Sequence, residues 1–383
     1  MSIRSPRENI ITALLNEEPD YVPCCPDISN MIPARLTGKP FWDIYFRNDP
    51  SLGLAQVFAV NQLEIDGFSD QGKLDPSPTY KEKFTERIIE KNKEGKFIDT
   101  QTVFKAKQGD LIYKTRYYRN QPPILIEKPI KSLTEDLLKV EELFNPSDTQ
   151  NFTAVYYNRI KEKMGDDGVV CLSVPVPGLH WLHENLEGGF ESAIQMYYEQ
   201  PDVVREICNL FHEYVLEYVI RGLSFNIDAI QISASGLLHF QSPKIIRELS
   251  LRTMKEIALL AHQEGIPCHL HACGKELALI EIVAKETIIT SVEPLEMPPM
   301  GDCHLASVKE EYGNRLGLKG NIHTIDIMLL GTPLNVETAV ISCINDAAYN
   351  GGYILSTGDQ CPAETPINNF KAMMKTTRTY GQY

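Results

Sequence analysis

After residue 150 the chain repeats one unit, a short apolar run followed by a loop and an amphipathic helix. The runs are Val169–Val176, Ile227–Ile232, Pro267–Cys273, Ser291–Glu296, Leu316–Asn321 and Gly352–Thr357. Runs that are apolar on both faces suit strands buried in a parallel sheet, and each intervening helix is the crossover that parallel pairing requires. Two earlier runs, Tyr21–Asp27 and Leu63–Phe68, bring the count to eight βα units with no long polar linker. This predicts one domain over 1–383, a (β/α)8 TIM barrel whose regular repeats span 151–383. A doubly wound open sheet is the alternative, but no Gly-x-Gly-x-x-Gly follows any of the runs.

Residues 80–132 break the pattern. Lys96–Lys105 and Leu111–Tyr118 are rich in β-branched and aromatic residues and are joined through Gln108-Gly109-Asp110, so they predict an inserted antiparallel β-hairpin. Ile124–Lys128 adds a further strand. Such an insertion either roofs a pocket or covers an edge of the barrel. Near the start, Ser5-Pro6-Arg7-Glu8 has the form of a capping box with Pro at the first helical position, which predicts a helix over 6–16.

The formal net charge of -14 and the lack of any Lys/Arg-rich block argue against nucleic acid as a partner. No run of about 18 apolar residues is long enough to cross a membrane, and the leading segment Met1–Pro6 lacks the apolar core of a signal peptide. The expected location is therefore cytoplasmic. There the nine cysteines, an odd number at irregular spacing, read as reduced thiols.

The chemistry gathers in Pro267-Cys268-His269-Leu270-His271-Ala272-Cys273-Gly274. Side chains alternate along a strand, so His269, His271 and Cys273 share one face, and His271 with Cys273 could clasp one ion. Zinc accepts imidazole nitrogen and thiolate sulfur, and three protein ligands with an open fourth position make the catalytic form. Cys361, in Ser356-Thr357-Gly358-Asp359-Gln360-Cys361-Pro362, is the expected third ligand. The plain alternative is a core strand with satisfied histidines and buried thiols. In a parallel barrel the strand ends form one face, which here would collect Asp27, His180, Gln231, Glu293, Glu296, Asn321 and Asp359, with no Arg or Lys at the tips.

With these residues in place, the C-terminal half resembles the uroporphyrinogen decarboxylase superfamily, in particular its corrinoid-dependent methyltransferase branch. The resembling segments are Ile227–Ser235, His269–Gly274, Glu293–Asp302, Leu318–Ile322 and Gly351–Gly358 with Thr365-Pro366, in the family's order. The resemblance implies zinc held by His271, Cys273 and Cys361. In the coenzyme M methyltransferases of that branch the last Cys directly follows a Gly, where this chain has Asp359, so Asp359 stands as the alternative ligand. The decarboxylases carry arginines just after the first strand, and none occurs here before Arg35.

The function so implied is a zinc-dependent transfer of methyl from a small donor, an O-methyl aromatic compound by preference, to the cobalt of a partner corrinoid protein. The chain itself shows no cobalamin-binding domain, and a homodimer is left open. Asp27, Glu293 and Glu296 are the expected catalytic or ligand-orienting carboxylates. Trp181, His180, Gln231, Asn321 and Asp359 are the expected substrate contacts. The alternatives are a uroporphyrinogen-type decarboxylase, a methylcorrinoid-to-thiol methyltransferase, and a non-catalytic ligand-binding barrel.

Overall fold

The computed structural model describes residues 4–383. Met1, Ser2 and Ile3, part of the leading segment read for a signal peptide, lie outside them. The strands are β1 (Gly67–Gly72), β2 (Phe84–Lys91), β3 (Phe97–Phe104), β4 (Leu111–Tyr118), β5 (Ile124–Glu127), β6 (Gly168–Pro175), β7 (Ala229–Ser233), β8 (Cys268–His271), β9 (Ser291–Glu293), β10 (Gly317–Ile322) and β11 (Tyr353–Thr357). Seven of them form one parallel sheet in the order β1-β6-β7-β8-β9-β10-β11, and β2-β3-β4-β5 form a separate antiparallel sheet. Helices alternate with the parallel strands, so the architecture is TIM-barrel-like with an added antiparallel sheet.

The eighth place belongs to the segment around Cys24. Cys24 bridges Leu355 in parallel, the Cys25 amide donates to Leu355 O at 2.8 Å, and Asp66 N donates to Cys24 O at 3.1 Å. The segment thus joins β11 to the residues leading into β1. Pro23 and Pro26 have no amide hydrogen to donate, which keeps this ladder to a bridge where the sequence predicts a strand over Tyr21–Asp27.

The second strand also differs from expectation. The helix Leu52–Leu63 runs through the start of the predicted strand and ends at Glu64 in a left-handed conformation, φ 57°. The strand itself is therefore Gly67–Gly72 rather than Leu63–Phe68. The insertion holds four strands where a hairpin and one more are predicted. The additional one, β2, is an exposed, charge-rich edge.

Alternation along the strands divides the core. Leu172 and Val174 of β6, Ile230 and Ile232 of β7, and Cys268 and Leu270 of β8 pack outward in one cluster with helix residues such as Ile207, Phe211 and Val215. Val169, Cys171, Ala229 and Ile354 point the other way and pack with Ile10, Ala13 and Leu14. The latter three belong to the capped helix Pro6–Leu14, which closes the N-terminal end of the barrel with apolar side chains. The opposite end is polar, and the strand termini open there.

Candidate metal centre

Strand register brings the polar residues together. Ser233 of β7 pairs with His271 of β8, and His271 pairs with Glu293 of β9. Leu318 of β10 pairs with Val292, so Lys319 stands one step on, beside Glu293. With Asp27, Phe68, Asp70, Gln231, Cys273 and Asp359 these residues line a cavity of about 320 Å³ at the C-terminal end of the barrel. No residue of the antiparallel sheet is among its lining residues, so the insertion does not roof it.

Glu293 is the hinge of the electrostatics. Its side chain is 3% exposed, forms a close ion pair with Lys319, and lies 3.0 Å from His271 Nδ1 and 3.4 Å from His269 Nε2. Burial alone would favour the neutral acid. The Lys319 ammonium, and after it the charge and hydrogen bond of His269 and the bond from His271, outweigh burial and hold Glu293 well below the usual carboxylate range. Lys319 is raised in return: burial opposes its charge, but Glu293 and Asp27 prevail. His271 is likewise held well above its ordinary value, because its bonds to Cys273 and Glu293 and the charges of Glu293 and Asp27 overcome burial. Asp70 and Asp359 are pushed up, each first by burial and then by the charge of Asp27.

Because Glu293 takes Nδ1 of His271, Nε2 is the nitrogen left for a ligand, the usual arrangement of a metal-bound histidine and its orienting carboxylate. Among the described residues, His271, Cys273 and Asp359 form a set of possible metal ligands, with one donor atom from each all within 4.8 Å of one another. Donors around a tetrahedral zinc lie about 3.5 Å apart, given bonds of about 2.0–2.3 Å, so modest side-chain movement closes the set. Nitrogen, thiolate sulfur and carboxylate oxygen are all zinc donors. The cavity beside them leaves room for a fourth ligand, so the residues fit the ion. Binding would require His271 as the neutral imidazole and Cys273 as the thiolate, so it would be coupled to proton release.

Cys361, the third ligand expected from sequence, does not join this set. It is fully buried, its amide donates to Asp27 O at 3.0 Å, and burial pushes its thiol well up. Asp359, two residues earlier, has φ 87°, a left-handed turn that Asp tolerates better than most residues, and it lines the cavity.

Asp27, Glu293 and Gln231 also line the cavity. Glu296 is not among the lining residues; it receives a close hydrogen bond from the Gly274 amide, fixing the turn after Cys273. Asn321 does not face the cavity: its amide donates to Leu295 O at 2.8 Å. Trp181 packs against Phe144 and Phe211, at 5.4 and 4.8 Å between ring centroids, as part of the core. His180 is buried, without a partner for Nδ1 among the described residues, and is not among the residues lining the cavity.

Two charged lining residues, Lys319 and Asp70, were missed in the sequence. Lys319 carried a signal: a charge inside an otherwise apolar, fully buried strand requires a partner, and Glu293 on the neighbouring run supplies it. Asp70 fell beyond the predicted second strand, whose register was set several residues too early. It accepts from Gln56 Nε2 at 2.7 Å and Gln71 Nε2 at 2.9 Å, both at Oδ1.

Comparison with known proteins bears on the whole arrangement. The family model for uroporphyrinogen decarboxylase (URO-D) matches residues 133–380. A solved methyltransferase from Methanosarcina mazei gives a TM-score of 0.64 at 17% sequence identity, covering 98% of this chain and 99% of its own. A B12-independent methionine synthase from Shewanella sp. W3-18-1, in complex with selenomethionine, gives 0.45 at 11% identity, covering 94% and 98%. A search of curated protein sequences gave no significant match. At 17% identity the first likeness is one of fold, and it runs the full length of both chains.

Proposed function

The chain belongs to the uroporphyrinogen decarboxylase family, and from that premise we propose that it is a zinc-dependent methyltransferase that takes methyl from a small donor and passes it to the corrinoid of a partner protein. The observation that carries this reading is the His271–Cys273–Asp359 cluster at the barrel mouth, with Glu293 bonded to the free side of His271. The chain's resemblance to corrinoid-dependent methyltransferases supports the partner. Zinc bound there would supply a Lewis-acid contact for the heteroatom that leaves the methyl group. His271, Cys273 and Asp359 would hold the ion, with Cys361 the competing third ligand. Glu293 would fix the imidazole, and Glu296 the turn that carries Cys273.

The donor we favour is a neutral O-methyl aromatic compound. Trp181 and His180 do not support it, since neither lines the cavity, and the aromatic side chain in the cavity wall is Phe68. What supports a neutral donor is charge. The lining includes Asp27, Asp70, Glu293 and Asp359 against Lys319 and His271, and both of these are committed to Glu293. For the same reason a uroporphyrinogen-type polycarboxylate would meet like charges without free arginines, a costly arrangement.

The test is metal content and methyl transfer together. The purified protein should carry close to one zinc per chain, lost in His271→Ala and Cys273→Ala. Asp359→Ala should reduce zinc more than Cys361→Ser. With a reduced corrinoid protein and methoxybenzene, the corrinoid spectrum should shift as it is methylated. Activity in protein free of metal, or release of carbon dioxide from uroporphyrinogen with no corrinoid methylation, would overturn the reading.

A further inference from the structure

A second cleft, of about 820 Å³, lies where the antiparallel sheet meets the residues following the first barrel segment. Its wall carries five cations, Arg35, Lys39, Lys96, Arg116 and Arg119, and no acidic residue lines it. That runs against the composition, which has 51 Asp and Glu to 37 Lys and Arg. Phe41, Phe97 and Tyr118 supply its apolar surface. None of these residues lines the metal cavity. The helix Met31–Leu36, which bears Arg35, begins directly after Asn30, and Asn30 does line it, so one short helix separates the two sites.

Three of the five cations already have partners. Lys39 pairs with Asp49 at 2.8 Å, Lys96 pairs closely with Glu94, and Arg116 makes two bonds of 2.8 Å to the buried Asp99. Among the described residues, Arg35 and Arg119 have no carboxylate at ion-pair distance. Arg35 donates instead to Thr365 O at 3.2 Å, and burial disfavours its charge, with Glu364 offsetting this only in part. Arg119 rests over the Trp42 ring at 5.9 Å. The cleft therefore holds two positive charges without an ion-pair partner in contact, Arg35 feeling only the more distant charge of Glu364.

Its surfaces are also fixed in place. The forked bond to Asp99 lays the Arg116 guanidinium over the Phe97 ring, 3.8 Å from its centroid, which makes a flat, rigid surface suited to stacking. The Phe41 amide donates to Arg119 O at 2.8 Å and the Arg119 amide to Lys96 O at 3.0 Å, tying both walls to the end of β4. A preformed cleft loses little ordering entropy when a ligand enters.

We propose that this cleft binds a small planar organic anion, an aromatic ring bearing a carboxylate or a phosphate. The ring stacks between the Phe41 and Phe97–Arg116 surfaces, and the anionic group is met by Arg35 and Arg119. The proposal is independent of the metal reading, because it concerns binding at residues that the metal cavity does not share.

Calorimetric titration of the full chain with benzoate, phenyl phosphate, inorganic phosphate and benzyl alcohol tests it. Benzoate or phenyl phosphate should bind saturably, and which of them binds tighter identifies the head group. Inorganic phosphate should bind more weakly than phenyl phosphate, and benzyl alcohol should not bind. Arg119→Glu lies at an exposed position, should keep the unfolding midpoint of the parent, and should weaken binding by about tenfold or more, the size of one charge-assisted hydrogen bond. Arg35→Gln should act in the same direction, and His271→Ala should leave binding unchanged. The proposal fails if neither aryl anion saturates, if inorganic phosphate binds as tightly as phenyl phosphate, if Arg119→Glu has no effect, or if His271→Ala abolishes binding.

Discussion

Replacing Lys319 with Met keeps most of the side-chain length and removes its charge, which leaves Glu293 at 3% exposure with two imidazoles for company. Breaking one partner out of a buried pair typically costs about 3–5 kcal/mol, because the remaining charge is desolvated and uncompensated. Set against a total stability of about 5–15 kcal/mol, that is readable in urea unfolding of chelator-treated protein. The pH dependence adds a second check. In the parent, Glu293 has a folded pKa below its unfolded one, so its contribution is complete above about pH 4.3 and is lost only as the pH falls through the depressed folded value. In Lys319→Met, burial is no longer outweighed by the ammonium and the carboxyl should take up a proton. The stability gap between parent and variant should then be widest at neutral pH and narrow as the pH falls toward about 5. Adding Glu293→Gln to Lys319→Met should recover much of the loss, since a neutral amide replaces the stranded carboxylate. A single variant within about 1 kcal/mol of the parent at neutral pH, or a double variant no more stable than the single, would refute the account.

Glu293→Gln alone should weaken zinc binding by about 10–100-fold in competition with a chromophoric chelator, as expected when an orienting carboxylate is lost. Trp181→Ala should cost about 3–5 kcal/mol in unfolding and leave the KM for the donor unchanged, because its ring packs on Phe144 and Phe211 and not in the cavity. His180 is held to about 4 by burial against 6.5 when unfolded, so the unfolded chain binds more protons in that window and stability falls as the pH drops through it, by roughly 3 kcal/mol in all. In His180→Phe this part of the acid destabilisation should vanish, read as the difference between the two unfolding profiles from about pH 7 to about pH 4.

The six C-terminal runs could be read because strands buried on both faces are apolar throughout, and β6 to β11 fall within or beside them. β1 escaped this because Phe68 and Asp70 line the polar cavity, so its sequence is not an apolar run. The preceding helix Leu52–Leu63 is apolar enough that its end reads as a strand. β2 escaped for the opposite reason: as an exposed edge carrying Glu86, Arg87, Glu90 and Lys91, it has the charged character of protected edges. At the candidate metal site, adjacency in sequence made the pairing of His271 with Cys273 legible as a possible ligand set. The choice between Asp359 and Cys361 depends on how one loop is fastened. Asp27 N donates to Thr357 Oγ1 at 2.9 Å, that hydroxyl donates to Asp359 O at 2.8 Å, and Cys361 N donates back to Asp27 O. Ligand chemistry favours the thiol; the turn carries the carboxylate into the cavity and the thiol into the core.

The charges of the cavity make one last prediction about substrate. A divalent ion, if held as proposed by the Cys273 thiolate and the Asp359 carboxylate, would be neutralised by them, and Lys319 is neutralised by Glu293. Asp27 and Asp70 then remain as acids of the lining with no cation of their own in contact, Asp70 pushed up first by burial and then by the charge of Asp27. An anionic substrate entering this space is repelled and finds no free cation, whereas a neutral one loses only its hydration. If the proposed methyl transfer holds, methoxybenzene should therefore show a higher kcat/KM than 4-methoxybenzoate. Asp70→Asn should narrow that gap by raising the rate with the anion more than that with the neutral donor. The 4-methoxybenzoate should still occupy the basic cleft, so Arg119→Glu should reduce its binding without changing its turnover. A preference for the anion in the parent protein, unaffected by Asp70→Asn, would mean that the acids of the cavity do not select the donor.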